Sequence, residues 1–248
     1  MISLFESGQH RNVFFHDLSE GLSVQANQHV IVDGGHGMLL DPGGHKVYAR
    51  LLGEISSVVP LGGISSIILS HQDPDIVAAT NGWLMVTDAK AYVSALWTRF
   101  IPHFGVDAYV ESRLVSVPDE GAVVHLNGKP ILLLPAHFIH ASGNLHVYDP
   151  ESRILYSGDL GASLGQTYSH VQDFDAHVPF MDGFHRRYMP SSKALRMWVA
   201  MVRQLDIEVI APQHGAMFVG RDLANRFIDW VETLECGVEL MGEYRVPG

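Results

Sequence analysis

The sequence has a single cysteine, Cys236, in 248 residues. One thiol cannot close an internal disulfide, so a reducing compartment is the expected setting. Basic residues are also scarce: 16 Lys and Arg stand against 27 Asp and Glu, a net charge of -11. Phosphate binding needs a basic footprint, so nucleic acid and anionic membrane are excluded as expected partners. Charged residues make up only 17%, too few for a coiled coil. No apolar run is long enough to span a bilayer. The first residues, Met1 to Asn12, lack the charged-then-apolar order of a signal peptide. A soluble, cytoplasmic protein is expected. No linker, low-complexity segment or short repeat divides the chain, so residues 1–248 are read as one domain.

What the sequence does have is a large apolar fraction, 47%, enough for a sizeable core. It also has 15 histidines, almost as many as all its Lys and Arg together. Imidazole is the commonest side-chain metal ligand, so histidine spacing deserves the first reading.

The first third reads as β-structure: Val13–His16, Gly21–Ala26, Gln28–Val32 and Gly37–Leu40 are short β-branched or alternating runs. Gly34-Gly35 and Asp41-Pro42-Gly43-Gly44 between them are turn chemistry. No Gly-Lys-Ser/Thr follows them, so they do not form a phosphate loop. Lys46–Ile55 has helical periodicity, and Ser65–Leu69 suits a strand buried on both faces. Pro74–Thr87 and Ala91–His103 read as helices, with room for a short strand where they meet. Arg113–Val117 and Pro130–Leu134 are strand candidates. Leu145–Asp149 and Arg153–Ser157 flank a Pro150-Glu151-Ser152 turn. Ser191–Leu205 is an amphipathic helix, Glu208–Ala211 a short strand and Asp222–Leu234 a final helix. Strands, helices, strands and helices in that order predict an α/β fold, two stacked sheets with helices outside: a four-layer αββα sandwich.

Four segments then place acid or imidazole groups just past a strand. In Ser70-His71-Gln72-Asp73-Pro74-Asp75, candidate ligands alternate at 71, 73 and 75, and an extended loop points alternate side chains one way. Pro74 keeps Asp73 out of the α conformation. A plain structural account also exists: Asp73 as a helix N-cap, Pro74 at the first position, Asp75 beside the helix dipole. That account leaves His71 unexplained. His140 lies 11 residues before the hairpin turn at Glu151, and Asp159 lies 8 after it, so both emerge at the hairpin's open end. Alone, Asp159 after Ser157-Gly158 reads as a turn former. The fourth segment is Pro212-Gln213-His214-Gly215, directly after Glu208–Ala211. Three His and three Asp exceed what one tetrahedral zinc takes, and suit two metals sharing a carboxylate. Mixed imidazole and carboxylate donors favour iron or manganese.

These residues carry a resemblance that covers nearly the whole chain. Asn27-Gln28, Asp41-Pro42-Gly43, His71-Gln72-Asp73-Pro74-Asp75 and His140-Ala141-Ser142-Gly143-Asn144 belong to it. So do Ser157-Gly158-Asp159-Leu160-Gly161, Gly183-Phe184-His185-Arg186-Arg187-Tyr188-Met189 and Pro212-Gln213-His214-Gly215. The sequence resembles the metallo-β-lactamase-like diiron domain of flavodiiron proteins, and within that group the stand-alone oxygen-binding diiron proteins. The resemblance implies two iron ions. The first takes His71, Asp73 and His140, the second takes Asp75 and His214, and Asp159 bridges them. The family's spacing selects His140 over His137. Asp73 departs from the family's Glu and is one methylene shorter. Ile76 replaces a family His, so the second iron loses a side-chain ligand. Asp73 also departs from the His of the zinc hydrolases, which argues against a lactamase or glyoxalase.

Flavodiiron proteins carry a flavodoxin domain whose FMN feeds the irons, and no such domain or FMN is expected here. Two reduced irons hold two electrons, whereas reduction of O2 to water takes four. The resemblance therefore implies a diiron protein binding O2 or NO as carrier or sensor, its state read by a signalling partner. One alternative is an O2 or NO reductase fed by a separate flavoprotein or rubredoxin. Another is a metal-dependent hydrolase of phosphodiesters or thioesters. A homodimer is implied by the resemblance alone. His185 and Tyr188, in a loop spanning Gly183–Met189, are candidate pocket residues. Asn27 and Gln28 are candidates for orienting a ligand. His137 and His146 are read as core histidines satisfied by backbone carbonyls, Trp83, Trp97, Trp198 and Trp230 as core or interface, and Cys236 as a small buried hydrophobe.

Overall fold

A computed structural model describes residues 1–16, 18–19 and 21–247. One sheet has seven strands in sequential order: β1 (Ile2–Ser7), β2 (His10–Phe15), β3 (Gln28–Asp33), β4 (His36–Leu40), β5 (Ile64–Ile68), β6 (Lys90–Ser94) and β7 (Leu114–Val117). Its first four strands pair antiparallel and β4 to β7 pair parallel. The other sheet holds β8 (Ala122–Leu126), β9 (Lys129–Pro135), β10 (Leu145–Asp149), β11 (Ile154–Tyr156), β12 (Val209–Ala211) and β13 (Phe218–Val219), in the spatial order β13-β12-β11-β10-β9-β8. Helices α1 (His45–Ser56), α2 (Pro74–Val77) and α3 (Thr80–Val86) follow strands of the first sheet. Helices α4 (Phe174–Tyr188), α5 (Ser192–Val202) and α6 (Arg221–Thr233) belong with the second.

The period-two alternation of strands divides the apolar residues among three cores. Ile31 on β3, Ile131 and Leu133 on β9, and Leu145 and Val147 on β10 meet between the sheets. Val30 and Val32 face the other way, onto Leu51 and Ile55 of α1 and Trp83 of α3. Tyr148 turns outward onto Trp198 and Val199 of α5 and Phe227 of α6. Three cores between four layers make the expected αββα sandwich. Among the described residues no helix is long and apolar enough to cross a membrane.

Three segments differ from the sequence reading. Gly21–Ala26 is a turn and loop, not a strand. Its polar end is bonded to a distant loop described below. Ala91–His103 opens as β6, because Ala91 and Val93 are buried between β5 and β7 on both sides. Tertiary packing there overrides the helical periodicity. The stretch Gly183–Met189 is the last turns of α4 rather than a loop. Asp173 caps that helix, accepting hydrogen bonds from the Asp175 and Ala176 amides. Pro179 and Gly183, residues ill suited to a helix interior, both lie inside it.

Candidate metal centre

All the chain segments singled out for ligands end at one edge of the sandwich. His71 comes three residues past the end of β5, and the backbone between is tied on both sides. The Ser70 amide donates to Asp41 Oδ1 at 2.8 Å, and the Ser70 carbonyl accepts from Leu145 N at 2.8 Å. The latter bond joins the first sheet's edge to the start of β10. His140 stands in the connection from β9 to β10, after a cis Ile139–His140 peptide. Asn144 Nδ2 bonds the Ile139 carbonyl at 2.5 Å, and Trp97 Nε1 bonds the Ser142 carbonyl at 2.6 Å. Asp159 follows β11 and His214 follows β12, and these two strands run parallel.

The six predicted side chains come together. His71, Asp73, His140 and Asp159 each offer a ligand atom within 4.8 Å of the others. His71 Nε2 lies 3.5 Å from Asp159 Oδ1 and 3.7 Å from Asp73 Oδ2. His140 Nε2 lies 3.1 Å from Asp159 Oδ2 and 3.6 Å from Asp73 Oδ2. His214 Nε2 lies 3.5 Å from Asp159 Oδ1 and 3.4 Å from Asp75 Oδ2. Asp159 is thus the one carboxylate shared by both halves of the set.

The local geometry decides against the capping account of Asp73. Its backbone sits at the N-cap position of α2, with Pro74 in the first turn, but its side chain makes no capping hydrogen bond. The carboxylate accepts from Gln72 Nε2 at 2.9 Å and faces the histidines instead. Nor is Asp159 a simple turn former: it is 5% exposed, and its Oδ1 has no hydrogen-bond partner among the described residues.

Charge is concentrated here. Burial alone would raise the Asp159 carboxyl, but His71, His140 and His214 hold it well below the usual carboxylate range. Burial would lower His214, yet Asp159, the Gln25 carbonyl and Asp75 push it up to about 9. His140 is raised against its burial by Asp159 and Asp73. Asp75 is raised by burial and by Asp159, against the pull of His214. Burial also pushes the half-buried Asp41 carboxyl up to about 6. Protons and a metal would compete for the same imidazole lone pairs.

The donor set fits a pair of metal ions. The Nδ1 atoms of His71 and His214 are held by the fold, at Ser70 Oγ (2.9 Å) and the Gln25 carbonyl (2.6 Å). Their Nε2 atoms point at carboxylates. His140 Nε2 and Asp159 Oδ1 are buried and lack hydrogen-bond partners among the described residues. Buried polar atoms are seldom left so, and a cation would satisfy them.

The other sequence candidates separate. Both ring nitrogens of His185 are used within the fold: Nε2 accepts from Gly161 N at 2.8 Å and Nδ1 donates to the Met181 carbonyl at 2.7 Å. Its ring is fully buried, and burial pushes it down to about 4. It ties the turn after Asp159 to α4 and has no nitrogen left for a ligand. Tyr188 is 58% exposed, stacks on Phe184 at 4.7 Å, and sets its ring edge-on to His140 at 6.3 Å. His137 bonds the Asp119 carbonyl at 2.8 Å. His146 accepts from Trp198 Nε1 at 2.9 Å. Asn27 braces the His214 loop by bonds from Nδ2 to the Pro212 and Gly215 carbonyls, at 2.8 and 3.0 Å. Ile76 is fully buried in the core beneath α1 and α3 and adds no donor to the pocket. Gln25 was invisible in the sequence. The only hint is that Gln25, Asn27 and Gln28 interrupt an otherwise apolar run.

Comparison with known proteins shows the family and the fold. A family model described as ODP family beta lactamase matches residues 24–215. The structure of a peroxy diiron species of the chemotaxis sensor ODP superposes with a TM-score of 0.87 and 41% identity, covering 96% of this chain and 97% of that one. The apo state of the chemotaxis sensor ODP from T. denticola gives 0.84 and 38%, with 96% of each chain covered. Rubredoxin oxygen:oxidoreductase from Desulfovibrio gigas shares the fold at 0.79 and 14% identity, with 93% of this chain matching 61% of that one. An uncharacterized protein of Methanocaldococcus jannaschii is 20% identical over 87% of this chain, which spans about half, 54%, of that relative.

Proposed function

The chain belongs to the ODP beta-lactamase family, and from that premise we propose that it binds O2 or NO at a centre of two irons, as a carrier or sensor. The observation that carries this reading is the convergence of three imidazole Nε2 atoms on one buried carboxylate, Asp159, with partner atoms left unbonded. His71, Asp73 and His140 hold one metal, Asp75 and His214 the other, and Asp159 both. The structures titled as the chemotaxis sensor ODP support iron as the metal, one of them a peroxy diiron species. When bound, two ferrous ions supply the two electrons and the ligand affinity that O2 or NO needs.

The chain's own groups do the rest. The Gln25 carbonyl, which can only accept, fixes the tautomer of His214, and Ser70 Oγ orients the His71 ring, so each Nε2 faces the pocket. His185 holds the Gly161 amide and with it the turn that carries Asp159. Ile76 leaves the Asp75 and His214 side with one protein donor fewer than the flavodiiron pattern. Phe184 and Tyr188 set their rings edge-on to His140 on its outer side. A signalling or redox protein would read the bound state. A homodimer and a cytoplasmic setting complete the proposal, supported by the family likeness and the lone cysteine.

The test is metal analysis of protein purified without oxygen, followed by O2 titration in the visible range. Two irons per chain and a new charge-transfer band that fades when O2 is removed are expected. A band that decays irreversibly, with steady O2 consumption once a reduced flavoprotein or rubredoxin is added, would make the protein a reductase. Zinc content with no spectral response would sink the diiron reading and leave a hydrolase.

A further inference from the structure

His214 is gripped from two sides by groups outside the candidate ligand set. On one side stands Gln25, in the connection between β2 and β3. Its backbone carbonyl lies 2.6 Å from His214 Nδ1. A carbonyl can only accept, so Nδ1 carries the hydrogen and Nε2 keeps its lone pair toward Asp75 and Asp159. The side chain of Gln25 completes the hold. Its Oε1 accepts from the Gly215 amide at 2.7 Å, and its Nε2 donates to Asn27 Oδ1 at 2.7 Å. Asn27 in turn bonds the Pro212 and Gly215 carbonyls, and its own amide bonds the Gln213 carbonyl at 2.6 Å.

On the other side is the turn at Ser163. The Ser163 amide bonds the His214 carbonyl at 3.3 Å, and Ser163 Oγ accepts from the Ala216 amide at 3.1 Å. Gly215 makes this approach possible. Its φ is +83°, and a Cβ there would stand 2.1 Å from Ser163 Oγ. The Ser163 turn also lies just after Asp159, so it is fixed to the bridging carboxylate. The Gln25 side is different. Its loop reaches into solvent through Gly21, the fully exposed Leu22, and Val24.

We propose that Gln25 is a positioning residue for His214, and that through it the second metal position and the loop of residues 21–26 share one conformational state. The proposal rests on His214 being a ligand of the second metal. Occupancy of that position fixes the imidazole, the imidazole fixes the Gln25 carbonyl, and the Gln25 side chain spreads the constraint to the Gly215 amide and Asn27. The first metal position is independent of this path, because Ser70, Asn144 and Trp97 hold His71 and His140.

The experiment compares the wild-type chain with Gln25→Ala and Gln25→Glu. Anaerobic Fe(II) titration gives the two binding steps. Amide exchange reports residues 21–27 and Gly215, and ring nitrogen NMR reports the His214 Nδ1 hydrogen in metal-free protein. In the wild type, the second iron should slow exchange across residues 21–27. In Gln25→Ala the second iron should bind about 10- to 100-fold more weakly, with the first changed less than about threefold. The His214 Nδ1 signal should broaden and Gly215 should exchange faster without metal. Gln25→Glu keeps the acceptor for Gly215 and should recover part of the loss; it also decides the matter if the alanine variant does not fold. Two irons bound by both variants as in the wild type would overturn the proposal, and so would equal weakening of both steps. If the wild type itself fails to take two irons, the diiron reading falls, and the metal-free signals alone judge Gln25. An Nδ1 hydrogen held in the wild type and released in the variant supports it, and an unchanged signal overturns it.

Discussion

His10 Nε2 lies 2.8 Å from Asp149 Oδ2, linking β2 of one sheet to β10 of the other at the end of the sandwich away from the metal centre. The two side chains are fully or almost fully buried, and Asp33 accepts the other ring nitrogen at 3.3 Å. Asn12 Nδ2 and Ser152 Oγ also bond Asp149 Oδ2, at 2.8 and 2.7 Å. Burial would lower His10, but Asp149 and Glu151 raise it against that and against Lys129. Burial would raise Asp149, but His10, Asn12 and Ser152 bring it down.

The pair sets a stability window in pH. A raised His10 stabilises the fold fully below its ordinary value of 6.5 and loses that contribution as pH rises through the raised value. A lowered Asp149 stabilises fully above 3.8 and loses it as pH falls through the lowered value. The full contribution therefore spans roughly pH 4 to 6.5. His10→Leu removes the imidazole beside buried Asp149, which keeps Asn12 and Ser152, and should cost about 1–3 kcal/mol in that window. Urea unfolding at pH 5.5 and pH 9 checks this: the gap between wild type and variant should narrow at pH 9. An equal gap at both values would place the loss in packing.

Asp73→Ala separates two roles. As a helix cap, Asp73 would cost about 1 kcal/mol when removed. Its side chain makes no capping bond, so the metal-free variant should unfold within about 0.5 kcal/mol of the wild type. Its iron content should fall by one per chain. Urea midpoints of the metal-free proteins together with iron analysis read both effects.

Asp159→Asn removes the shared anion. The variant should retain neither iron after desalting, and its unfolding temperature should no longer respond to added Fe(II). In the wild type, iron at about 100 times its dissociation constant should add about 2.7 kcal/mol. A variant still stabilised by iron would place the shared ligand elsewhere.

Trp198→Phe tests a buried hydrogen bond between α5 and the start of β10. The indole donates to His146 Nδ1 at 2.9 Å, and burial and the charge of His71 push that imidazole down to about 3. His146 Nε2 already has no partner among the described residues. Phe would leave both nitrogens unbonded and should cost about 1–3 kcal/mol, read as a lower urea midpoint with an unchanged slope.

Much of this was legible because local chemistry and fold agree. The strand-end positions of His71, His140, Asp159 and His214 could be read from apolar runs stopping at turn residues, and the sheets bring those ends together. The helix at α5 announced itself by Ser191, whose hydroxyl accepts from the Lys193 amide. Long-range pairing left no such trace. Nothing near His10 points to Asp149, and nothing near Gln25 points to His214. Gly21–Ala26 looked like a strand because its spacing was apolar, while its polar partners lay far along the chain. Gly183–Met189 reads as a loop in sequence, yet it is the last turns of α4, with His185 and Tyr188 on that helix. Packing against Gly161 and Phe184 decided their surroundings instead.

The ligand positions also fix an order of events during synthesis. His71 leaves the ribosome well before His214, which follows β12 directly. The second sheet cannot close on Asp159 until that strand arrives. A nascent or truncated chain therefore has no complete cage for a redox metal, and a released fragment would not carry one into the cell. Iron capture becomes a mark of a chain made at least as far as His214.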